Sequence, residues 1–433
     1  MVVSGARFGS WRGVGTQRKI LQRPRRTADT PTVGNRVVCR SAVLLVALAV
    51  VATSCQQNVR AGARCRTTDF GADATHVLRC QRGRWVRVAT KQQVAQLFIA
   101  IVRVRAAAPP AAPPAGSTGA TLTDTTLADT SRPNRVIGNG SPASCTSDAV
   151  VDAVALGGVI TFDCGPGPVT IVMARTAKIF NDTGPEIVID GGNRVTLSGG
   201  AQRRILSMNT CDRAQRWTTP RCQDQDHPRL TIQRLTFVDG NATGESTDGG
   251  GGGAVFVRGG RVRILESTFR RNVCDPAGPD VGGGAVRVLS QSAGLPVIVA
   301  RSNFGGAPGE GNQCSNGGAL SSIGVSWLVS NTVISHNRAI GVGANPARPG
   351  MPGGGNGGGI CLDGNTFTMT VSDSTIRDNV ANEGGGGIFF VSNDRTGSLT
   401  VQRSAMTANP SLGFETAGFP GIFYLGRGSP TVR

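Results

Sequence analysis

A short segment recurs six times between residues 228 and 409, and no other feature constrains the fold of this chain as strongly. Each copy has the order apolar, any residue, Val or Ile, two further residues, a small or apolar residue, any residue, and a large apolar residue. The final residues of successive copies lie 32, 35, 30, 42 and 30 positions apart, a spacing typical of repeat units that stack on their neighbours. The copies are RLTIQRLTF (229–237), RVRILESTF (261–269), PVIVARSNF (296–304), SWLVSNTVI (326–334), TMTVSDSTI (368–376) and SLTVQRSAM (398–406).

Each repeat contains three short stretches with the periodicity of a β-strand. The first two apolar positions, such as Val262 and Ile264, are two residues apart, which places both side chains on one face of a strand. Ser267 and Phe269 indicate a second strand after a corner, and a glycine cluster precedes a third apolar stretch. Because the same order recurs along the chain, equivalent strands are expected to stack in parallel. The pattern predicts an all-β parallel β-helix.

An asparagine follows the large apolar residue by three positions in four copies. Asparagine tolerates the left-handed backbone conformation, and its amide can bond backbone groups. On stacked repeats, such residues would form a ladder of amides. We interpret them as structural corner residues and not as ligands: Asn272, Asn337, Asn379 and Asn409.

Glycine pairs followed by Ala and an aliphatic residue alternate with a Phe-x-x-Asn pattern. They read GGAV (252–255), GGAV (283–286), GGAL (317–320) and FRRN (269–272). This combination resembles the repeat of chlamydial polymorphic outer-membrane proteins. Residues 143–205 resemble the cap and first coils of bacterial proteins with a pectin-lyase-like β-helix. The resemblance implies a right-handed parallel β-helix over 135–433. It implies little about activity, because this fold hosts lyases, hydrolases and adhesins.

Composition divides the chain into four parts. They are a leader (1–55) with an apolar secretion-signal core (41–54), a small basic Cys-containing β module (56–105), a Pro/Ala/Thr-rich linker (106–134), and the predicted β-helix (135–433), with cap and first coils at 135–227, repeats at 228–409 and a C-terminal end at 410–433.

The leader indicates export. Arg40 precedes an apolar run that is too short to span a bilayer, as in a secretion signal. Cleavage after Ser54 would release a free protein, whereas lipidation of Cys55 would anchor it. Both alternatives place the mature chain outside the cytoplasm or on the cell envelope, with no transmembrane segment.

The cysteines also favour an oxidising compartment. Neighbouring cysteines suggest four disulfides, although spacing cannot establish connectivity. Cys361 remains single and is interpreted as a small core residue. No C-x-x-C motif occurs, so we expect no metal site. The suggested pairs are Cys65–Cys80, Cys145–Cys164, Cys211–Cys222 and Cys274–Cys314.

The net charge of +18 is unevenly distributed. Residues 1–40 and 41–105 each carry +8, whereas the remaining chain has 26 basic and 24 acidic residues. The predicted β-helix is therefore nearly neutral, and nucleic-acid binding loses its main support.

Polysaccharide lyase chemistry needs carboxylates gathered around Ca²⁺ and an arginine base. No acid recurs at one position of the repeat, and Asp190 is expected to be a turn residue. The Asp-Asp, Gly-His-Gly and Trp-x-Asp-His signatures of related hydrolases and lyases are absent. We therefore predict no catalytic, cofactor-binding or metal residues. The acids considered are Asp190, Asp239, Asp373, Asp378 and Asp394.

These observations favour a monomeric, exported, non-catalytic protein that acts in adhesion or in contact with carbohydrate or envelope components. The alternative is a polysaccharide lyase or glycoside hydrolase acting on an acidic polysaccharide, for which Ca²⁺ would be the cofactor. The repeated positions are structural, so function should lie in the unequal loops, above all in 338–358.

Overall fold

A computed structural model describes residues 60–64, 70–90, 125–245 and 249–433. The leader and Cys55 lie outside the described residues. The chain divides into two compact units, Met1–Thr118 and Gly119–Arg433. Within its described part, one α-helix accompanies thirty strands, and no helix there has the length and apolar character needed to cross a membrane.

The first unit contains a small antiparallel sheet of three strands, β1 (Phe70–Ala72), β2 (His76–Gln81) and β3 (Arg84–Thr90). Arg82 and Gly83 connect β2 to β3 with φ values of 50° and 77°, the backbone twist that a two-residue hairpin turn requires. Cys65 lies outside the described residues, and with it the predicted Cys65–Cys80 bond.

The second unit contains helix α1, which spans Ser147–Leu156 and begins after Thr146, whose hydroxyl accepts a hydrogen bond from the amide of Ala149. Short 3₁₀ turns occur at Pro142–Ser144, Cys222–Asp224 and Ser292–Gly294. The strands are, in chain order, β4 Arg135–Ile137, β5 Gly158–Phe162, β6 Val169–Val172, β7 Ala177–Ile179, β8 Glu186–Ser198, β9 Leu206–Asn209, β10 Arg229–Val238, β11 Val255–Arg258, β12 Arg261–Leu265, β13 Thr268–Arg270, β14 Val286–Val288, β15 Val297–Ala300, β16 Asn303–Gly305, β17 Gln313–Cys314, β18 Leu320–Ile323, β19 Trp327–Ser330, β20 Val333–Ser335, β21 Arg338–Ala339, β22 Ile360–Gly364, β23 Thr368–Ser372, β24 Thr375–Arg377, β25 Val380–Ala381, β26 Ile388–Ser392, β27 Ser398–Gln402, β28 Ala405–Thr407, β29 Ile422–Leu425 and β30 Thr431–Val432.

Equivalent strands of successive repeats pair in parallel and in register. Leu230 lies opposite Val262, and Phe237 lies opposite Phe269. The pairs build sheets of sixteen, eight and three strands; the eight-stranded sheet has the order β29-β26-β22-β18-β14-β11-β9-β7, and the three-stranded sheet has the order β17-β21-β25. The prediction of a mainly β chain with parallel strands is confirmed.

The apolar positions of the repeat form one continuous core. Phe237, Phe269 and Phe304 stack with ring centroids 4.9 and 4.7 Å apart. Trp327 is fully buried, and its indole N–H donates to the hydroxyl of Ser322 at 2.9 Å. Burying large rings on one stack contributes apolar area without leaving a buried donor unpaired.

A left-handed residue separates the first two strands of every copy. Its φ lies between 47° and 51° although no copy uses glycine there. This conformation is costly for a side-chain-bearing residue, so the surrounding pairing must hold it in place. The residues are Arg234, Glu266, Arg301, Asn331, Asp373 and Arg403.

Hydroxyl groups satisfy the backbone directly after this kink. The Ser302 hydroxyl donates to the carbonyl of Ala300 at 2.9 Å and accepts from the amide of Ser267 at 3.1 Å. The same arrangement recurs at Ser267, Thr332, Ser374 and Ser404.

The predicted corner asparagines stack with a fifth member, Asn312. The side-chain amide of Asn312 donates to Asn337 Oδ1 at 2.9 Å and to the carbonyl of Phe269 at 3.0 Å. Asn312 escapes the sequence pattern because an insertion places it eight residues after Phe304 instead of three. The remaining bonds of the asparagine ladder join Asn272 to Asn312, Asn337 to Asn379, and Asn379 to Asn409.

Three disulfides join sequence neighbours in the second unit. The Cα atoms are 5.7 Å apart in Cys145–Cys164, 5.1 Å in Cys211–Cys222 and 4.8 Å in Cys274–Cys314, all within the usual range. Cys361 is a buried free cysteine.

The asparagine ladder should contribute strongly to stability. In Asn337→Ala, the buried backbone and side-chain N–H groups of Asn312 both lose their acceptor. At about 1–3 kcal/mol for each unsatisfied group, we expect a loss of at least about 3 kcal/mol in urea unfolding. Asn365→Ala, at an exposed position, is the control and should change stability by less than about 0.5 kcal/mol. Equal effects of the two substitutions would contradict this account.

Candidate functional site

The five acids considered for catalysis do not form a shared centre. Each makes its own hydrogen bonds or ion pairs, as described below. Among the residues that the structure describes, no group of three or more His, Cys, Asp or Glu side chains could hold a metal ion.

Asp190, at the middle of β8, is 3% exposed and accepts four kinds of hydrogen bond. Its carboxylate contacts Arg234 Nε at 2.9 Å, Gln233 Nε2 at 2.9 Å, the Thr130 hydroxyl at 2.9 Å and the amide of Gly192 at 2.9 Å. Burial alone raises the pKa of this carboxyl, but these hydrogen bonds outweigh burial and lower the pKa. A carboxylate so fully engaged is a poor base.

This buried group also holds a segment of the predicted linker. The side chain of Gln233 both accepts from the amide of Ala128 at 2.8 Å and donates to its carbonyl at 3.1 Å. Arg301 donates to the carbonyl of Thr125 at 2.8 Å. Residues 125–130 are therefore attached to the sixteen-stranded sheet, and the Asp190 cluster is structural. A depression of about 110 Å³ adjoins it.

Charged side chains at the kinks pair between successive repeats. Arg403 contacts both carboxylate oxygens of Asp373 at 2.7 Å, and Arg301 contacts Glu266 at 2.9 Å. The expectation that no acid recurs at one repeat position is wrong, because Asp373 and Glu266 share the kink. Their partners are arginines of the following repeat, so the row is an ion-pair ladder and not a set of free carboxylates.

The other three acids are engaged as well. Asp239 receives Arg271 at 2.7 and 3.1 Å, and Asp378 receives Arg377 at 2.5 Å. The Ser392 hydroxyl donates to Asp394 at 2.8 Å and, with the amide of Thr396, lowers the pKa of Asp394 to about 2.

The long loop 338–358 folds against its own unit. Arg348 donates to both oxygens of Glu383 at 2.8 and 2.6 Å, and Asn345 donates to Asp363 at 2.9 Å. Glu383 is 5% exposed. Cys361 packs with Phe389 nearby, and burial raises the pKa of its thiol. The contacts of this loop that the structure describes serve packing, contrary to its expected functional role.

An exposed aromatic pair lies in another loop, between β9 and β10. Trp217 is 43% exposed, and its ring stacks on that of His227 at 5.3 Å with an angle of 6° between the planes. The Cys211–Cys222 disulfide closes the part of the loop that carries Trp217. We call this feature the Trp217–His227 platform.

Polar side chains fix the loop to the neighbouring repeat. Gln215 Oε1 accepts from the amide of Asn181 at 2.8 Å, and its Nε2 donates to the carbonyl of Asn209 at 2.8 Å. The side-chain amide of Asn181 donates to the carbonyls of Thr210 at 3.0 Å and Trp217 at 2.8 Å. The platform is therefore held by several hydrogen bonds as well as by the disulfide.

A pocket of about 400 Å³ adjoins the platform. Asn181 is 2% exposed, and its buried Oδ1 has no hydrogen-bond partner. Asp182 stands beside it, and Arg216 lies 3.6 Å from the Asp182 carboxylate. An apolar ring face next to unsatisfied acceptors can bind a ligand that has both a C–H face and hydroxyl donors. The pocket is lined by Asn181, Asp182, Gly184, Pro185, Trp217 and His227.

Sequence reasoning missed this pocket. Asn181 and Trp217 are far apart along the chain and fit no repeat position. The available signal was a tryptophan enclosed between two cysteines, Cys211 and Cys222, in a loop outside the repeat pattern.

Asp190 should make stability depend on pH. Because its pKa is lower in the folded state than the usual unfolded value of about 3.9, its contribution is complete above that value and is lost as pH falls through the folded pKa. Asp190→Asn should cost about 2–3 kcal/mol at pH 7, and the difference from wild type should narrow below about pH 4. Urea unfolding at pH 7 and pH 3 measures both. An unchanged difference would contradict the assignment. Asp148→Asn, an exposed control at 72%, should cost under about 1 kcal/mol at pH 7.

Comparison of the chain with protein-family models, curated proteins and solved structures finds no match.

Proposed function

We propose that this chain is an exported, non-catalytic protein of the cell surface or the secreted fraction. In this proposal its second unit is a right-handed parallel β-helix of the pectin-lyase-like class with polymorphic outer-membrane protein-type repeats. The protein contacts carbohydrate of an envelope or of another cell through the Trp217–His227 platform.

The in-register parallel pairing of six repeats supports the β-helix. Each repeat has its left-handed kink, hydroxyl and, in most copies, ladder asparagine at equivalent points, so every repeat uses the next one to satisfy its corner. A chain winding in one direction explains this recurrence.

One observation carries the carbohydrate proposal. The platform presents Trp217 to solvent beside the buried, unpartnered Oδ1 of Asn181. Leaving a large aromatic surface in water and a buried acceptor unsatisfied both cost free energy in the absence of a ligand. A sugar ring would offset both, since its C–H face packs on the indole and a hydroxyl donates to the amide oxygen.

Restraint of the platform strengthens the proposal. The disulfide and the hydrogen bonds of Gln215 and Asn181 hold the loop before a ligand arrives. A site ordered in advance loses less conformational entropy on binding. The three disulfides of the second unit fit an oxidising compartment outside the cytoplasm.

The lyase or hydrolase alternative has less support. It requires acids that are free to bind Ca²⁺ or to move a proton. Asp190, Asp239, Asp373 and Asp378 are paired with arginines, and Asp394 is held by hydroxyl and amide donors. Formation of unsaturated products from polygalacturonate that stops on chelation of Ca²⁺ would favour this alternative.

Trp217→Ala tests the carbohydrate proposal. We expect calorimetry with soluble glucan, mannan, galactan and polygalacturonate oligosaccharides to detect binding by the wild type. The substitution should weaken that binding at least about tenfold through loss of the stacking surface, with unchanged circular dichroism. Leu412→Ala removes an apolar side chain that is 67% exposed and should leave binding intact. The proposal fails if no sugar binds the wild type or if Trp217→Ala binds equally well.

A further inference from the structure

We propose that the pocket beside the Trp217–His227 platform selects uncharged pyranose units over uronic acids. This inference rests on the proposed carbohydrate function and adds the chemical class of the ligand.

The orientation of the Asn181 side chain decides which kind of hydrogen bond the pocket can offer. Its amide nitrogen already donates to two carbonyl groups, those of Thr210 and Trp217. Rotating the amide by half a turn would place its oxygen against these carbonyl oxygens, so Oδ1 must be the atom without a partner. Asn181 therefore requires a donor from a ligand and offers it none.

Charge at the pocket points to the same conclusion. Asp182 contributes a carboxylate to the lining, and no Lys or Arg is among the lining residues. Arg216 lies 3.6 Å from that carboxylate, but its side chain is 83% exposed. A solvated arginine compensates a neighbouring charge weakly.

A uronic acid would therefore meet unfavourable groups. Its carboxylate adds an acceptor where Asn181 needs a donor, and a negative charge where Asp182 already has one. A neutral hexose supplies a hydroxyl donor and keeps the same ring face for Trp217. The Asp182 carboxylate can accept a second hydroxyl, because charged acceptors form stronger hydrogen bonds.

The test uses a matched pair of ligands that differ only at C6. Methyl β-glucopyranoside and methyl β-glucopyranosiduronate are titrated into the full chain at low ionic strength, where charge effects are least screened. We expect the neutral glycoside to bind at least about fivefold more tightly, the effect of one like charge at a partly exposed site. Glucosamine is the third ligand, and its ammonium group should bind no more weakly than the neutral glycoside.

Asp182→Asn is the discriminating variant. It should bring the neutral-to-uronate ratio close to one while changing the affinity for the neutral glycoside by less than about threefold. Asp148→Asn alters net charge equally at a residue that does not line the pocket, and it should keep the wild-type ratio. Retention of the wild-type ratio in Asp182→Asn would overturn the assignment of selectivity to this pocket.

The outcomes separate the two proposals. If the wild type binds the uronate as tightly as the neutral glycoside, or more tightly, and Trp217→Ala removes that binding, the selectivity is wrong and the carbohydrate function stands. If neither the glycosides nor the oligosaccharides bind the wild type, the carbohydrate function fails and the selectivity fails with it.

Discussion

The second unit depends on one constraint: the backbone at each corner must be satisfied by the following repeat. Parallel strands pair their amides and carbonyls along their length, but the kinks and corners leave polar groups inside the molecule. Hydroxyls such as Ser302 and amides such as Asn337 fill those places. A repeat without its neighbour would bury unsatisfied groups, so the register of one repeat determines the register of the next.

This constraint also explains where variation is tolerated. Segments between strands can lengthen if both ends return to the same register, as the interval of 42 residues does around 338–358. That loop is held by Glu383 and packs on its own unit. The loop between β9 and β10 instead carries an exposed tryptophan, with a disulfide supplying the restraint that strand pairing cannot. Similar insertions thus have different consequences.

Periodicity was enough to predict strands, parallel pairing and the four spaced asparagines, since these depend on residues at constant intervals. It failed for Asn312, because an insertion before the corner changes the interval without changing the position in space. It also failed for Asp373 and Glu266, whose shared position is apparent only after the kink is aligned. The platform escaped entirely, since no local pattern joins Asn181 to Trp217.

The sequence by itself determined the repeat, its apolar faces and the concentration of positive charge in the first 105 residues, because each of these follows from residue type and spacing. Only the tertiary structure decided which polar groups are left over. The acids find arginine, hydroxyl or amide partners, and Asn181 Oδ1 finds none. Pairing of this kind depends on distances between segments that stack, and a linear spacing does not contain those distances.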